Sequence, residues 1–234
     1  MTPGRLLGPP DWDAIDLAAF DVDGTLYSQT RLRVRMMRDV LLDAASRRTP
    51  EAIAVLRTYR RLRERLAEQE VSGFETILIA ETADATGYAL ERVRSIVAEW
   101  IERRPLAYLR ACRYPGVAEL FAGLRRRGKT IGIVSDYPAG AKLAALGLEA
   151  DHVVCASDKA VGLLKPNPRG LCAVIEAAGT SPRQTVLIGD RADRDGEAAR
   201  RIGAWALIKS PRPIEDWQTF ADFDDAVFGN LLLA

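Results

Sequence analysis

The spacing of hydrophobic and polar positions divides the chain into three stretches. Near the start, "DLAAFDVD" (16–23) is a short apolar run that stops abruptly at two aspartates. After residue 110 four more such runs follow, "KTIGIVSD" (129–136), "DHVVCASD" (151–158), "QTVLIGD" (184–190) and "AWALIKS" (204–210), each ending in polar residues. Short apolar runs bounded by turn residues predict strands, five in all. Between them lie the amphipathic segments "PGVAELFAGLRRRG", "AGAKLAALG", "RGLCAVIEAAG" and "DGEAARRIG", each closing on a glycine suited to a helix C-terminus. Strand and helix alternating in this way predict an α/β fold, a Rossmann-like parallel sheet covered on both faces.

The stretch from about Thr30 to Cys112 has a different period. Apolar positions fall at helical spacing in "LRVRMMRDVLLDAA", "EAIAVLRTYRRLRERLAE" and "LERVRSIVAEWIE", with abundant Arg and Glu and no strand pattern. An all-helical insert between the first and second strands is expected. Its arginines Arg57, Arg60, Arg61, Arg63 and Arg65 read as solvated helix surface. There is no internal repeat and no low-complexity tract.

A length of 234 residues leaves room for a sizeable core with a smaller appendage. The 33 basic and 32 acidic residues balance, so neither nucleic acid nor an anionic membrane is expected as the main partner. The opening "MTPGRLLGPPDWD" lacks the apolar core of a secretory signal, and no segment has the roughly 20 uninterrupted apolar residues of a membrane helix. A soluble cytoplasmic protein is the reading. Cys112, Cys155 and Cys172 are odd in number and far apart, which fits a reducing compartment and a role as small buried hydrophobes. His152 and the four tryptophans, Trp12, Trp100, Trp205 and Trp217, read as structural. The apolar tail "AVFGNLLLA" packs either on the core or on a second chain, and oligomeric state stays open.

In open α/β sheets ligands bind outside the carboxyl ends of the strands, so the residues where the apolar runs stop carry the chemistry. Those residues are Asp21 and Asp23, then Ser135, then Lys165 in "VGLLKPNP", then Asp190, Asp193 and Asp195 in "IGDRADRDGEAAR". Carboxylates as close as Asp21 and Asp23 repel, and burying them requires a cation or hydrogen bonds. A hard divalent cation such as Mg²⁺ takes oxygen ligands and suits one or two carboxylates plus a substrate phosphate, and Asp21 and Asp190 are candidates to hold it. Lys165 and Ser135 offer positive charge and a hydrogen bond to phosphoryl oxygens, and the N–H groups around Gly24 and Thr25 offer an anion-binding nest. Each residue also has a plain structural use. Asp21 and Asp23 suit a turn, Ser135 and Asp193 or Asp195 suit helix caps, and Lys165 suits the surface.

"DVDGTL", "IVSD", "LLKPNP" and "GDRADRD", in this order and spacing, resemble the four motifs of the haloacid dehalogenase-like hydrolase superfamily. The resemblance covers residues 16–29 and 112–210, and the helical stretch resembles the cap that these proteins place after the first motif. It implies a core of residues 1–29 and 112–234 with a cap of residues 30–111. It further implies that Asp21 attacks phosphorus to form an aspartyl-phosphate, that Asp23 protonates the leaving oxygen and then activates water, and that Ser135 and Lys165 hold the phosphoryl group. Mg²⁺ is implied on Asp21, the Asp23 carbonyl and Asp190, with Asp195 close by; the family spacing selects Asp190 and Asp195 over Asp193.

An acid at position 23 suits a phosphate ester, whereas the dehalogenases of the superfamily lack one there. The chain departs from the common pattern at Tyr27-Ser28-Gln29 and at Asp136, both where the cap and the active site meet in that pattern, which leaves the substrate open. The expected activity is Mg²⁺-dependent hydrolysis of a small phosphorylated metabolite, with Arg31, Arg33 and Arg35 near the first hinge more suited to solvent than to substrate. A phosphotransferase or phosphomutase of the same superfamily, or a non-catalytic binding module on the same fold, is the alternative.

Overall fold

The computed structural model describes residues 8–47 and 51–232. In chain order its regular elements are β1 (Leu17–Phe20), α1 (Gln29–Arg47), α2 (Glu51–Glu68), α3 (Phe74–Thr86), α4 (Leu90–Val97), which runs into a π-helical turn (Ala98–Arg103), and α5 (Leu106–Cys112). There follow α6 (Val117–Arg126), β2 (Thr130–Ser135), α7 (Gly140–Leu146), β3 (His152–Cys155), α8 (Arg169–Ala177), β4 (Thr185–Gly189), α9 (Glu197–Ile202), β5 (Trp205–Lys209), β6 (Gln218–Phe220) and α10 (Gly229–Leu232).

The strands form one six-stranded sheet in the order β3-β2-β1-β4-β5-β6, with every neighbouring pair parallel. Five of the strands are the apolar runs read from the sequence. β6 is the addition: three residues are too few to show a period of two, and the strand is defined by its pairing to β5.

β1 lies centrally and all four of its residues are buried. Its pleat sends Leu17 and Ala19 to one face and Ala18 and Phe20 to the other. The first pair packs with Leu171 and Val174 of α8 and Ala198 and Ala199 of α9. The second packs with Leu120 and Leu124 of α6, Leu143 and Leu146 of α7, and the C-terminal residues Phe220, Phe223, Phe228 and Leu231. The apolar tail therefore lies on the core. Phe220 and Phe228 meet edge to face at 4.9 Å, and a Cβ at Gly123 would stand 2.1 Å from the Leu231 carbonyl oxygen, so α10 requires glycine in α6.

The helices between β1 and α6 enclose an apolar cluster of their own, including Val55, Leu62 and Leu66 of α2, Phe74 and Leu78 of α3, and Val93 of α4. Ala156 and Leu164, from loops beyond β3, join it. α3 went unread in the sequence because apolar residues at Ile77, Leu78 and Ile79 run consecutively and blur the helical period; its end is marked by Gly87 in the left-handed conformation, whose N–H closes on the Ala83 carbonyl.

Cys112 and Cys155 are buried as expected, but Cys172 is exposed, since its position in α8 turns away from the sheet. Among the described residues no helix is long and apolar enough to cross a membrane.

Strand register sets the place of the site. Phe20 is level with Ile133 of β2 and with Ile188 of β4, so Asp21, Ser135 and Asp190, one or two residues further on, emerge together at the carboxyl edge.

Candidate active site

Asp21 is fixed first through its backbone, whose N–H donates to the Ile188 carbonyl at 2.9 Å. One side-chain oxygen accepts from the Thr25 hydroxyl at 3.0 Å and the other from Lys165 Nζ at 2.6 Å. Lys165 spends its two other donors on Asp195 at 2.6 Å and on the Val134 carbonyl at 3.2 Å. The side chains of Asp21, Lys165 and Asp195 are all buried. Asp136 holds the lysine loop from behind, its carboxylate accepting the Lys165 N–H at 3.0 Å. Ser135 is buried with its Oγ accepting the Tyr137 N–H at 3.2 Å, a local turn and not a cap for α7.

Asp190 completes a cluster in which carboxylate oxygens of Asp21, Asp190 and Asp195 lie within 4.8 Å of one another. Gly24 makes this possible. Its φ is +105°, and a Cβ there would stand 2.1 Å from Asp190 Oδ2. Likewise a Cβ at Gly189 would stand 2.2 Å from Asp195 Cγ.

Three carboxylates share one ammonium. Burial, aided by Asp195, Asp190 and Asp23 and opposed by Lys165, raises Asp21 well above the usual carboxylate range. Burial and then Asp195 push Asp190 up to about 6. An all-oxygen donor set with surplus negative charge fits a hard divalent cation. Asp193 stands outside, exposed and paired to Arg191 at 2.8 Å.

Asp23 belongs to a neighbouring but separate arrangement. Both its carboxylate oxygens lie 2.6 Å from Lys142 Nζ, and one also accepts from the Tyr27 hydroxyl. Burial alone would raise its pKa; Lys142 foremost, with Tyr27 and Arg63, reverses the sign and holds it below the usual range. The Asp23 carbonyl, implied as a cation ligand, accepts from Gln29 Nε2 at 2.5 Å.

A family model described as haloacid dehalogenase-like hydrolase matches residues 15–203. The chain belongs to that family. It is 29% identical over 196 residues to a glyceraldehyde 3-phosphate phosphatase of Methanopyrus kandleri, a match covering 81% of each chain. To a phosphoserine phosphatase of Thermus thermophilus it is 26% identical over 137 residues, 57% of this chain and 53% of the relative. Among solved structures, the putative HAD-hydrolase YfnB from Bacillus subtilis, bound to magnesium, superposes with a TM-score of 0.67 at 15% identity, over 94% of this chain and 99% of that one. A 2-haloacid dehalogenase from Pseudomonas syringae superposes with a TM-score of 0.64 at 19% identity, over 93% and 98%.

In this haloacid dehalogenase-like hydrolase the strand-end residues read from the sequence, Asp21, Ser135, Lys165, Asp190 and Asp195, sit together, with Gly24 and Thr25 beside them. Lys142 was missed. In the sequence it is an ordinary polar position of an amphipathic helix, and only the packing of α7 buries it against Asp23. Arg194 was missed too: it is buried and donates to the Lys165 carbonyl at 2.9 Å while pairing with Glu64 of α2 at 3.0 Å.

One of the arginines read as solvated requires correction. Arg57, Arg60, Arg61 and Arg65 are exposed, but Arg63 is 6% exposed. Heptad-like spacing places residue 63 beside Leu62 and Leu66 on the inner side of α2, where its guanidinium lies 3.8 Å from the Tyr137 ring centroid and donates to the Asp136 carbonyl. Arg31 and Arg33 are exposed, as expected.

Proposed function

We propose that the chain is a Mg²⁺-dependent phosphatase that hydrolyses a small phosphorylated metabolite through an aspartyl-phosphate at Asp21, with residues 30–111 acting as a cap over the site. The observation that carries this reading is the position of Asp21: its carboxylate is held at the strand end by Thr25 and Lys165, next to two further carboxylates. A nucleophile used only as a structural charge would have no need of that surplus. The phosphatase relatives support the same class of reaction.

Asp21, Asp190 and Asp195 would hold Mg²⁺, which when bound neutralises the crowded charge and polarises the phosphoryl oxygens. The chain's own residues do the rest. Asp21 attacks phosphorus in line with the leaving oxygen, and the P–O bond to the alcohol breaks as the bond to Asp21 forms. Lys165, fixed by Asp195 and Val134, keeps the nucleophile oriented and presents positive charge to the transferred group. Ser135 donates its hydroxyl hydrogen to a phosphoryl oxygen while its Oγ keeps the Tyr137 N–H. Asp23, ionised beside Lys142, must first take up a proton, which it passes to the leaving alcohol, and it then takes one from the water that hydrolyses the aspartyl-phosphate. Lys142 and Tyr27 hold the Asp23 carboxylate in one orientation for both steps. The cap excludes bulk water through contacts of α2 and the turn after it, Glu64 to Arg191 and Arg194, Glu70 to Arg201, and the Gly73 N–H to the Gly162 carbonyl.

The test is release of inorganic phosphate from p-nitrophenyl phosphate with and without Mg²⁺. Metal-dependent release is expected. A wild-type chain inactive on this ester and on a broad panel of phosphorylated metabolites overturns the reading.

A further inference from the structure

Among the described residues four cationic side chains are buried: Arg63, Lys142, Lys165 and Arg194. Three are neutralised at close range, Lys142 by Asp23 at 2.6 Å, Lys165 by Asp21 and Asp195 at 2.6 Å, and Arg194 by Glu64 at 3.0 Å. Arg63 has no such partner. Its neighbours are the Asp136 carbonyl, the Tyr59 hydroxyl and the faces of Tyr137 and Phe74, at 3.8 and 5.2 Å from the ring centroids. A guanidinium has five N–H donors, and the two polar neighbours leave most of them unspent. The Asp136 and Glu75 carboxylates act on it through space without forming an ion pair; a buried charge without a paired counter-ion is costly, and burial is normally tolerated where an anion completes the site.

The position of Arg63 says which anion. It projects from the helical insert onto Asp136 and Tyr137, directly after Ser135, and shares the Tyr137 ring with Lys142, the residue bonded to Asp23. Asp23 is the group that serves the leaving oxygen, so Arg63 stands on the leaving-group side. Lys142 lies over the same Tyr137 ring at 4.8 Å but is committed to Asp23. One guanidinium with unspent donors between aromatic walls matches a monoanion. A second phosphate, with up to two charges, would call for another cation. Arginine's planar fork pairs with a carboxylate through two parallel hydrogen bonds.

We propose that Arg63 is a specificity-determining residue that binds a carboxylate on the leaving-group portion of the substrate, so that the preferred substrates are small phosphate monoesters of hydroxy acids. This rests on the phosphatase reading above and names the substrate class for it.

The experiment compares kcat/KM for 3-phosphoglycerate and glycerol 3-phosphate, which share a three-carbon skeleton and differ in a carboxylate against a hydroxymethyl group. Both are measured on the full-length wild type, Arg63→Gln and Arg63→Lys, with p-nitrophenyl phosphate as a reference. Wild type is expected to favour the carboxylate ester, and Arg63→Gln to reduce that preference about 10- to 100-fold, the worth of one charge-assisted pair. Arg63→Lys, which keeps the charge and loses the fork, is expected to fall between. A purely structural Arg63 would lower both rates together and leave the ratio unmoved, which overturns the proposal. Equal kcat/KM for the two esters in wild type overturns it without any variant, so a poorly folding variant does not shield it. Turnover of p-nitrophenyl phosphate in that case leaves the phosphatase reading standing, whereas wild type inactive on all three esters removes both.

Discussion

Lys142→Met removes the cation from a buried pair while keeping the length and apolar stem of the side chain. Lys142 and Asp23 have side chains only 6% and 16% exposed, and Nζ lies 2.6 Å from both carboxylate oxygens. Without the ammonium, Asp23 keeps the Tyr27 hydroxyl but remains a buried charge with its main counter-charge gone. Breaking such a pair from one side costs about 3–5 kcal/mol. For a chain of this size that corresponds to a fall in Tm of about 2–4 °C per kcal/mol, or roughly 6–20 °C.

The sign of the pH dependence follows from the same contacts. With Lys142 present the folded pKa of Asp23 is depressed, so its stabilisation is present above the unfolded value near 4 and is lost as pH falls through the folded one. In Lys142→Met burial becomes the governing influence and the folded pKa rises, so that variant gains relative stability on acidification. The assay is urea unfolding of wild type, Lys142→Met, Asp23→Asn and the double variant at pH 7. A favourable coupling above about 1 kcal/mol is expected between the two positions. Additive effects within about 0.5 kcal/mol would refute the reasoning, because the pair would then be worth no more than an exposed one.

Three further outcomes are expected. Gly24→Ala forces a left-handed φ of +105° on alanine and drives a methyl group into Asp190, so it should cost roughly 1–3 kcal/mol in thermal unfolding and weaken Mg²⁺ dependence of turnover; a variant matching wild type in both contradicts the cradle. Asp190, raised to about 6, contributes stability to the metal-free chain that is full below about pH 4 and is lost as pH rises through about 6, whereas the ionised form binds a cation. The rise in Tm on adding Mg²⁺ should therefore be larger at pH 7.5 than at pH 5, and an equal or reversed effect counts against the cluster as the metal site. Phe228→Ala removes a fully buried ring packed on Phe220 and should cost about 3–5 kcal/mol in urea unfolding; a loss below 1 kcal/mol would show that the tail does not complete the core.

The parts of this molecule legible in the sequence are those written in consecutive residues. Each central strand is an apolar run that ends in the residue it delivers, so Asp21, Ser135 and Asp190 announced both the sheet and the site. Lys165 and Asp195 were legible through spacing after those ends. The fold's edge was not, because β6 is three residues long and exists through its pairing with β5. Burial of polar residues was the larger omission. Arg63 sits in a run of five nearby arginines with nothing local to set it apart, and what distinguishes it is the Tyr137 ring, brought up from more than 70 positions away. Lys142 and Arg194 are similar: each is an unremarked charge in a helical or turn segment until tertiary packing places Asp23, or Glu64 and the Lys165 carbonyl, against it. The exposure of Cys172 marks the reverse limit, a small apolar residue type that packing leaves on the outside.

The claim on which the account turns is that Asp21 carries the phosphoryl group. The direct measurement is acid quenching of the wild-type chain during turnover of a ³²P-labelled phosphate ester with Mg²⁺, followed by mapping of the labelled peptide. Label is expected on the peptide containing Asp21, and it should be absent, together with turnover, in Asp21→Asn. Steady phosphate release from Asp21→Asn, or label mapping to another residue, would contradict the account.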